Sequence, residues 1–261
     1  MRHFKKNFRT DVSMLILLTN DDGFQSKGLH ILAETLSQMA EVVVVAPDRE
    51  QSASSHSISL TRPLRLNQIR KNLFTVDGTP TDCIVIGLEK AVSARPDIIV
   101  SGINSGPNLG EDIHYSGTVS AAFEGAILGI KSLAVSLAHH AEETLHFDTA
   151  AQFALRFCKK IIQETIPPGL LFNINVPNLP SDRSLDYAVT KQGKRNYGGI
   201  IIENKDPRGK KYYWIGGNQK DYYDIRDSDC NIIASQKIAI TPLQVDMTDH
   251  SFIGELKKWK I

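Results

Sequence analysis

Two adjacent carboxylates, Asp21 and Asp22, lie in the polar stretch Thr19-Asn20-Asp21-Asp22-Gly23, which directly follows an apolar run from Met14 to Leu18. An apolar run that ends abruptly in polar residues and a glycine is typical of a buried parallel strand, and open α/β sheets bind ligands at the carboxyl ends of such strands. Two carboxylates at that point repel each other unless one stays protonated or a cation lies between them. The pair therefore predicts a site for a hard divalent cation. The alternative is a simple turn that caps the helix beginning near Lys27.

Two more oxygen-bearing side chains follow other predicted strands. The strand over 41–46 leads into a polar loop that contains Ser52, and the short strand over 97–101 leads into a stretch that contains Asn104. Because the carboxyl ends of parallel strands meet at one edge of a sheet, we expect both side chains to lie beside the carboxylate pair. A set of ligands made only of oxygen atoms suits Mg²⁺, Mn²⁺ or Ca²⁺ and argues against zinc or copper.

A helix start that could bind an anion lies further along the chain. Ser116 is a natural N-cap residue, and Gly117 and Thr118 open a helix with small residues on one face. Such a helix start presents backbone N–H groups and a partial positive charge, and Ser105 and Gly106 could add donors beside it. The alternative is a tight glycine-rich connection to a capped helix. A cation and a helix N-terminus at one point together predict a phosphoryl site.

The elements that must position these residues alternate between strands and helices. Thr79, Pro80 and Asp82 are typical of a helix start, and apolar residues recur at helical spacing over 27–39. Alternation over 58–66 predicts a hairpin or edge strands with 73–76. Further helices are predicted at 79–91 and 148–163, and further strands at 134–137, 170–176 and 237–242. The order predicts an α/β fold with a mostly parallel sheet.

The character of the sequence changes beyond residue 190, where glycine, tyrosine and charged residues become frequent. We interpret this stretch as a projecting β-hairpin, whose aromatic residues either contact another chain or form a small hydrophobic core of their own. The predicted organisation is a disordered extension over 1–13, a catalytic core over 14–190, a hairpin arm for oligomerisation over 191–226, and a strand and tail over 227–261 that complete the core or a subunit contact.

The composition narrows the class of partner. A formal net charge of +1 over 261 residues favours a small ligand held by a local site, and it gives no indication of a nucleic-acid polymer or a membrane surface. No run approaches the length of a membrane span. The three cysteines are scattered without a zinc-binding spacing, which fits a reducing compartment, and we expect a cytoplasmic location.

Five motifs in order resemble the survival protein SurE family: Asn20-Asp21-Asp22-Gly23, Ala46-Pro47-Asp48-Arg49 with Ser52, Asp77-Gly78-Thr79-Pro80, Ser101-Gly102-Ile103-Asn104-Ser105-Gly106, and Tyr115-Ser116-Gly117-Thr118-Val119. The resemblance spans about residues 14 to 245. It implies a Rossmann-like three-layer sandwich with a C-terminal hairpin extension exchanged between subunits, giving a homodimer or homotetramer. It also implies a metal-dependent phosphatase that acts on nucleoside 5′-monophosphates, with possible activity on 3′-monophosphates and short polyphosphate.

The resemblance places one divalent cation, Mg²⁺ or Mn²⁺, on each subunit. Its ligands in this sequence would be Asp21, Asp22, Ser52 and Asn104. The expected reaction is in-line attack of water on phosphorus, with Asp21 and Asp22 as the catalytic carboxylates and one of them accepting the proton of the water. The predicted phosphate-binding residues are Ser105, Gly106, Ser116, Gly117 and Thr118, together with Asn20, which would also orient the first loop.

Two other functions compete with this interpretation. One is a phosphatase with an aspartate nucleophile, as in haloacid dehalogenase-like enzymes, but those have their carboxylates two residues apart whereas Asp21 and Asp22 are adjacent. The other is a non-catalytic nucleotide-sensing module. The paired carboxylates weigh against a sensor, because a pocket that only binds phosphate gains nothing from two negative charges nearby.

Overall fold

The computed structural model describes residues 14–139, 144–181, 185–196, 201–215 and 222–259. The strands are β1 (Leu15–Thr19), β2 (Glu41–Pro47), β3 (Leu66–Arg70), β4 (Leu73–Val76), β5 (Ile98–Ser105), β6 (Lys131–Ala138), β7 (Leu170–Pro177), β8 (Tyr187–Val189), β9 (Ile201–Lys205), β10 (Lys211–Ile215) and β11 (Ile238–Gln244). The α-helices are α1 (Lys27–Leu36), α2 (Pro80–Lys90), α3 (Gly117–Ile127), α4 (Phe147–Gln163), α5 (Asp229–Ala234) and α6 (Ile253–Leu256), and a 3₁₀ helix covers Gly110–His114.

Nine of the described strands form one sheet in the order β3-β4-β2-β1-β5-β6-β7-β11-β8. The run from β4 through β7 is parallel throughout. The edge strand β3 is antiparallel to β4, and β11 is antiparallel to β7 but parallel to β8. The predicted mostly parallel α/β sheet is therefore confirmed.

Helices cover both faces of the parallel part of the sheet. On one face α1 and α4 pack against side chains such as Ile16, Leu18 and Val100, and on the other α2 and α3 pack against Leu15 and Leu17. Because both faces are covered, all five residues of β1 are buried, which explains its continuous apolar sequence. The carboxyl end of β1 is therefore buried between two neighbouring strands and two layers of helices.

The start of α2 shows how the sequence determines the local structure. The Thr79 hydroxyl accepts a hydrogen bond from the Asp82 backbone N–H at 3.1 Å, and the Asp82 carboxylate accepts one from the Thr79 N–H at 2.9 Å. This is the predicted capping box, with Pro80 at the first helical position. The other oxygen of Asp82 accepts from the Ser59 N–H at 2.9 Å, so the same carboxylate also fixes the loop before β3.

Three predicted boundaries differ from the structure. The segment 58–65 has no regular strand, and Leu60 is 82% exposed; the hairpin with β4 begins only at Leu66, after Pro63. Helix α1 ends at Leu36, three residues before the predicted end. Strand β5 continues to Ser105, beyond the predicted end at Ser101, with a register shift between Gly102 and Asn104 in its pairing with β6.

Strands β9 and β10 form a separate antiparallel hairpin, with Ile202 opposite Trp214. All ten residues of these strands are exposed. The predicted 191–226 arm includes this hairpin, although residues 197–200 and 216–221 lie outside the described residues, as does the predicted extension over 1–13. Among the helices that the structure describes, none has the length and apolar character needed to cross a membrane.

Candidate active site

The carboxyl ends of β1, β2 and β5 meet at one edge of the sheet. Strand β1 lies between β2 and β5, so the chain moves from β1 to one side and later returns to the other side. The loops after β1 and β5 both start at this switch point, which is the place where open α/β sheets bind ligands. Residues 20–22 follow β1, the loop 48–57 follows β2, and Asn104 and Ser105 end β5.

Asp21 lies beneath the start of α3, with only 6% of its surface exposed. Its Oδ1 accepts a short hydrogen bond from the Thr118 hydroxyl, and the Thr118 backbone N–H also donates to the carboxylate. Burial raises the pKa of Asp21, and the donors of Thr118 oppose that rise. The partial positive charge of the α3 N-terminus is therefore directed at Asp21.

Asp22 is half-buried beside the end of β5. Its Oδ2 accepts a hydrogen bond from the Ser105 backbone N–H at 3.1 Å. Burial, and then the negative charge of Asp21, raise the pKa of Asp22 to about 6, while the Ser105 N–H and the nearby His139 act in the opposite direction. Two ionised carboxylates side by side are thus unfavourable here unless a positive charge lies beside them.

Asn20 holds the turn that carries the two aspartates. It is fully buried, and its Nδ2 donates to the Gly23 carbonyl at 3.1 Å and to the Ser26 hydroxyl at 2.7 Å. An amide nitrogen has two hydrogens, and both are used in these bonds. The structure therefore favours the predicted role of Asn20 in orienting the first loop over the predicted contact with phosphate.

The loop after β2 contacts the loop after β1 through its backbone. The Gln51 N–H donates to the Asp21 carbonyl at 2.8 Å, which brings Ser52 and Glu50 toward the pair. The exposed Ser52 hydroxyl donates to Glu50 Oε1 at 2.5 Å. The negative charge of Glu50 contributes to the raised pKa of both Asp21 and Asp22, so a third carboxylate lies near the pair.

Asn104 lies at the end of β5 next to Ser105. Its Nδ2 donates to the Gly106 carbonyl at 2.9 Å, which orients the amide and leaves its Oδ1 as the atom that could bind a cation. The Gly106 N–H donates to the Leu137 carbonyl at 3.1 Å. The predicted phosphate donors at this corner therefore reduce to the hydroxyl of Ser105, which contacts His139 Nε2 at 3.0 Å.

Gly117 packs tightly against the buried aspartate. A Cβ atom at this position would lie 2.7 Å from Ser54 Oγ and 2.8 Å from Asp21 Cβ, so only glycine fits without displacing its neighbours. Ser116 caps the helix, because its Oγ accepts from the Val119 N–H at 3.1 Å. The start of α3 thus contacts Asp21 directly, where the sequence had predicted a contact with phosphate.

The donor atoms fit a hard cation. Among the described residues, Asn20 Oδ1 and Ser54 Oγ are buried oxygens without a hydrogen-bond partner, and both belong to the loops around Asp21 and Asp22. The predicted ligands are two carboxylates, one amide oxygen and one hydroxyl, which are the ligands that Mg²⁺ and Mn²⁺ prefer. In the described part of the chain no three His, Cys, Asp or Glu side chains cluster as a metal site, and the predicted set requires only two carboxylates.

Sequence reasoning missed three residues at this site: Glu50, Ser54 and His139. Glu50 and Ser54 each lie two residues from the predicted ligand Ser52 in one polar loop. Their position in the sequence could therefore have identified them. His139 directly follows β6, and the rule that ligands bind at carboxyl ends of strands could have identified it. Two hydrogen bonds bring predicted residues together. The Thr118 hydroxyl donates to Asp21, and the Ser105 N–H donates to Asp22.

A mostly parallel sheet with helices on both faces and an oxygen-rich set of side chains at its switch point defines a Rossmann-like α/β protein. A family model described as "Survival protein SurE" matches residues 16–199. The chain is 48% identical over 248 residues to a protein of Geotalea daltonii, covering 95% of this chain and 100% of that protein. It is 46% identical to one of Myxococcus xanthus, covering 94% and 93%. Both relatives are named 5′-nucleotidase SurE.

The fold agrees with the solved structure of another SurE protein. The crystal structure of the SurE protein from Aquifex aeolicus superposes with a TM-score of 0.84 at 40% sequence identity, covering 93% of this chain and 98% of that chain. The chain belongs to the survival protein SurE family. The family resemblance and the Rossmann-like three-layer fold predicted from the sequence are thereby confirmed, and the nucleotidase function that the resemblance implied agrees with the names of the relatives.

Proposed function

We propose that this protein is a phosphatase that uses a divalent cation to hydrolyse nucleoside 5′-monophosphates to a nucleoside and phosphate. One observation carries the proposal: two adjacent carboxylates with raised pKa values lie at the switch point of a parallel sheet. The names of the family relatives support the same substrate class. A turn that only capped α1 would not need these carboxylates, because Ser26 already caps that helix by accepting from the Leu29 N–H.

Asp21, Asp22, Asn104 and Ser52 would hold one Mg²⁺ or Mn²⁺ ion. When bound, the cation supplies positive charge for the phosphoryl oxygens and acidity for the attacking water. Asp21 is the fixed partner in this set, because Thr118 holds its carboxylate by two hydrogen bonds. Ser52 would turn away from Glu50 to take part.

Asp22 is the better placed of the two carboxylates to accept a proton. It is half-buried where Asp21 is almost fully buried, so water can reach it. We therefore assign to Asp22 the acceptance of the proton from the attacking water.

Phosphate would lie between the end of β5 and the start of α3. The Ser105 hydroxyl would bind it from one side and the backbone at the start of α3, at Gly117, from the other, while the Gly106 N–H is already bonded to the Leu137 carbonyl. In this arrangement the Ser116 hydroxyl caps α3 and the Thr118 hydroxyl binds Asp21. Both residues would contribute to phosphate binding only indirectly, through the partial positive charge of the helix N-terminus.

We extend the proposal to assembly and location. The exposed apolar hairpin of β9 and β10, in which Trp214 is 63% and Ile215 93% exposed, is the surface through which the protein would form a homodimer or homotetramer. The near-zero net charge and the scattered thiols favour a cytoplasmic protein that acts on a small substrate.

Phosphate release from a panel of nucleoside 5′- and 3′-monophosphates tests the proposed function. We expect release in the presence of Mn²⁺ or Mg²⁺, no release with a chelator, and a preference for the 5′ position. Nucleotide binding that depends on metal but leads to no turnover would contradict the proposal and favour a sensor. Trapping of a covalent aspartyl-phosphate would instead favour an aspartate nucleophile.

Substitution of Gly117 by alanine tests whether the start of α3 positions Asp21. The added Cβ must displace Asp21 or Ser54, and we expect a loss of about 10²-fold in kcat, because a small displacement of a catalytic group has an effect of this size. Gly254→Ala is the matched control, since a Cβ there meets no atom within 4 Å. Equal phosphatase rates for the two variants would contradict this role of Gly117.

A further inference from the structure

Ser52 is the proposed cation ligand that lies farthest from the end of its strand. It belongs to the loop 48–57 and comes five residues after the end of β2, whereas Asp21 and Asp22 follow β1 within three residues and Asn104 is part of β5. A side chain on such a loop has a fixed position only if contacts hold the backbone on both sides of it. The position of Ser52 therefore depends on what the rest of the loop contacts.

The two halves of this loop are bonded to different parts of the molecule. Before Ser52, the Gln51 N–H donates to the Asp21 carbonyl at 2.8 Å. After Ser52, the Ser55 N–H donates to the Tyr115 carbonyl at 3.0 Å, in the segment just before α3. Ser52 thus lies between one contact at the carboxylate pair and a second contact at the start of α3.

The second half of the loop has an unfavourable backbone conformation. Ala53 and Ser55 have φ angles of 54° and 53°, in the left-handed region that residues with a side chain rarely adopt. A backbone of this kind persists only where the surrounding contacts fix it. Contacts beyond Ser55 are therefore needed to keep Ser52 in place.

His56 makes such contacts with α3. Its Nε2 lies 2.9 Å from Glu124 Oε2, and its ring packs edge-on against Phe123 with the ring centroids 5.6 Å apart. The Glu124 side chain is only 15% exposed, so the pair is better shielded from water than an ordinary surface pair. Glu124 lies about two helical turns beyond Gly117, the residue that packs against Asp21. His56 is therefore bonded away from the reacting atoms, as a positioning residue and not a catalytic one.

We propose that the hydrogen-bonded pair of His56 and Glu124 positions Ser52 for the cation by fixing the end of the loop on α3. The inference rests on the proposed function, because it requires a cation at the carboxylate pair. Helix α3 then positions two of the ligands: Asp21 through Thr118 in its first turn, and Ser52 through Glu124 further along. Residues that orient a metal ligand from outside the coordination sphere commonly change metal affinity by roughly 10- to 100-fold.

His56→Ala and Glu124→Ala test the pair by removing either side of it. We expect each variant to bind Mn²⁺ about 10-fold more weakly, measured by electron paramagnetic resonance of the free ion. The double variant should bind no more weakly than either single variant, because both substitutions break the same contact. The rate at saturating Mn²⁺ should stay close to that of the wild type, since the reacting carboxylates are unchanged. Glu89→Ala is the matched control, because Glu89 is an exposed glutamate on the neighbouring helix α2.

Glu124→Gln and hydrogen exchange separate the position of the loop from the charge of the pair. The amide oxygen of glutamine can still accept from a neutral imidazole, so we expect Glu124→Gln to bind Mn²⁺ nearly as tightly as the wild type. In the metal-free protein, His56→Ala should speed exchange at the Gln51 and Ser55 amides, whose hydrogen bonds hold the two halves of the loop.

Equal Mn²⁺ binding by the wild type, His56→Ala and Glu124→Ala would overturn the positioning role of the pair. A low rate that persists in His56→Ala at saturating Mn²⁺ would also overturn it, because it would make His56 a catalytic residue. A wild-type protein that releases no phosphate from any nucleotide would contradict the proposed function, while Mn²⁺ binding and amide exchange would still decide whether the pair positions the loop.

Discussion

Asp22→Asn is expected to lower kcat for nucleoside 5′-monophosphates about 10³-fold, which corresponds to roughly 4 kcal/mol of transition-state stabilisation. Asparagine keeps the size of the side chain and can still accept from the Ser105 N–H, so the local structure should persist. The substitution removes the charge that would attract a cation and the group that would accept the proton of the attacking water.

Phosphate release at saturating substrate and metal measures this effect. Asp148→Asn is the matched control, because Asp148 is an exposed carboxylate in the first turn of α4, on an element that does not contribute to the site. Circular dichroism should show the same helix and strand content in both variants. A loss smaller than about 10-fold in Asp22→Asn would contradict the assignment of Asp22 to the reaction centre.

The same substitution is expected to stabilise the protein when no metal is bound. The pKa of Asp22 is raised from its ordinary value of 3.8 to about 6 in the folded state, so the folded state binds the proton more tightly than the unfolded state does. The free energy of unfolding therefore falls as the pH rises from about 4 to about 6, and the full penalty remains above pH 6. Removal of the charge should raise the free energy of unfolding by about 2 kcal/mol at pH 7.5, after allowance for solvent screening of a partly exposed group.

Urea denaturation in the presence of a chelator measures this gain at pH 7.5 and at pH 4.5. The gain should be much smaller at pH 4.5, where the carboxyl of the wild type is already protonated in the folded state. Addition of Mn²⁺ should stabilise the wild type and not the variant, because only the wild type keeps both carboxylates. A variant that is less stable than the wild type at pH 7.5 without metal would show that Asp22 is not held in a repulsive pair.

Much of the fold could be predicted because local sequence and global packing agree. The apolar runs before Asn20 and over 41–46 form strands buried on both faces, and Thr79 with Asp82 starts α2 as its residue types indicate. The prediction failed over 58–66, where alternating apolar and polar residues suggested a strand. Pro63 lacks a backbone N–H, so it cannot donate a hydrogen bond to a neighbouring strand. The Ser59 N–H donates to the Asp82 carboxylate of α2 at 2.9 Å, so this part of the segment is bonded to the helix and not to a strand.

The end of β5 shows a different limit of sequence reasoning. Glycines at 102 and 106 and the polar residues between them suggested a loop after Ser101, but the strand continues to Ser105. The buried Asn173 and Asn175, which lie in an otherwise apolar strand, bond to Asn108 and fix the segment that follows. Such pairings join residues more than sixty positions apart, so no local pattern reports them.

At the site, residue types and strand ends predict that Asp21, Asp22 and Asn104 lie close together, and the bond from the Ser105 N–H to Asp22 brings the end of β5 next to the loop after β1. The hydrogen-bond partners of the site residues could not be predicted, because each polar group has several possible partners in the loops around it. Thr118 was expected to hold phosphate, yet in the structure it donates to Asp21. Asn20 was expected to do the same, yet both of its amide hydrogens hold the turn.

Binding of Mn²⁺, followed by electron paramagnetic resonance of the free ion, shows whether the carboxylate pair holds a cation, because it measures the cation site without any assumption about substrate. We expect one tight Mn²⁺ site per chain in the wild type, competition by Mg²⁺, and loss of the site in Asp22→Asn but not in Asp148→Asn. Equal Mn²⁺ binding by the wild type and Asp22→Asn would contradict the claim that the carboxylate pair at the switch point holds the metal.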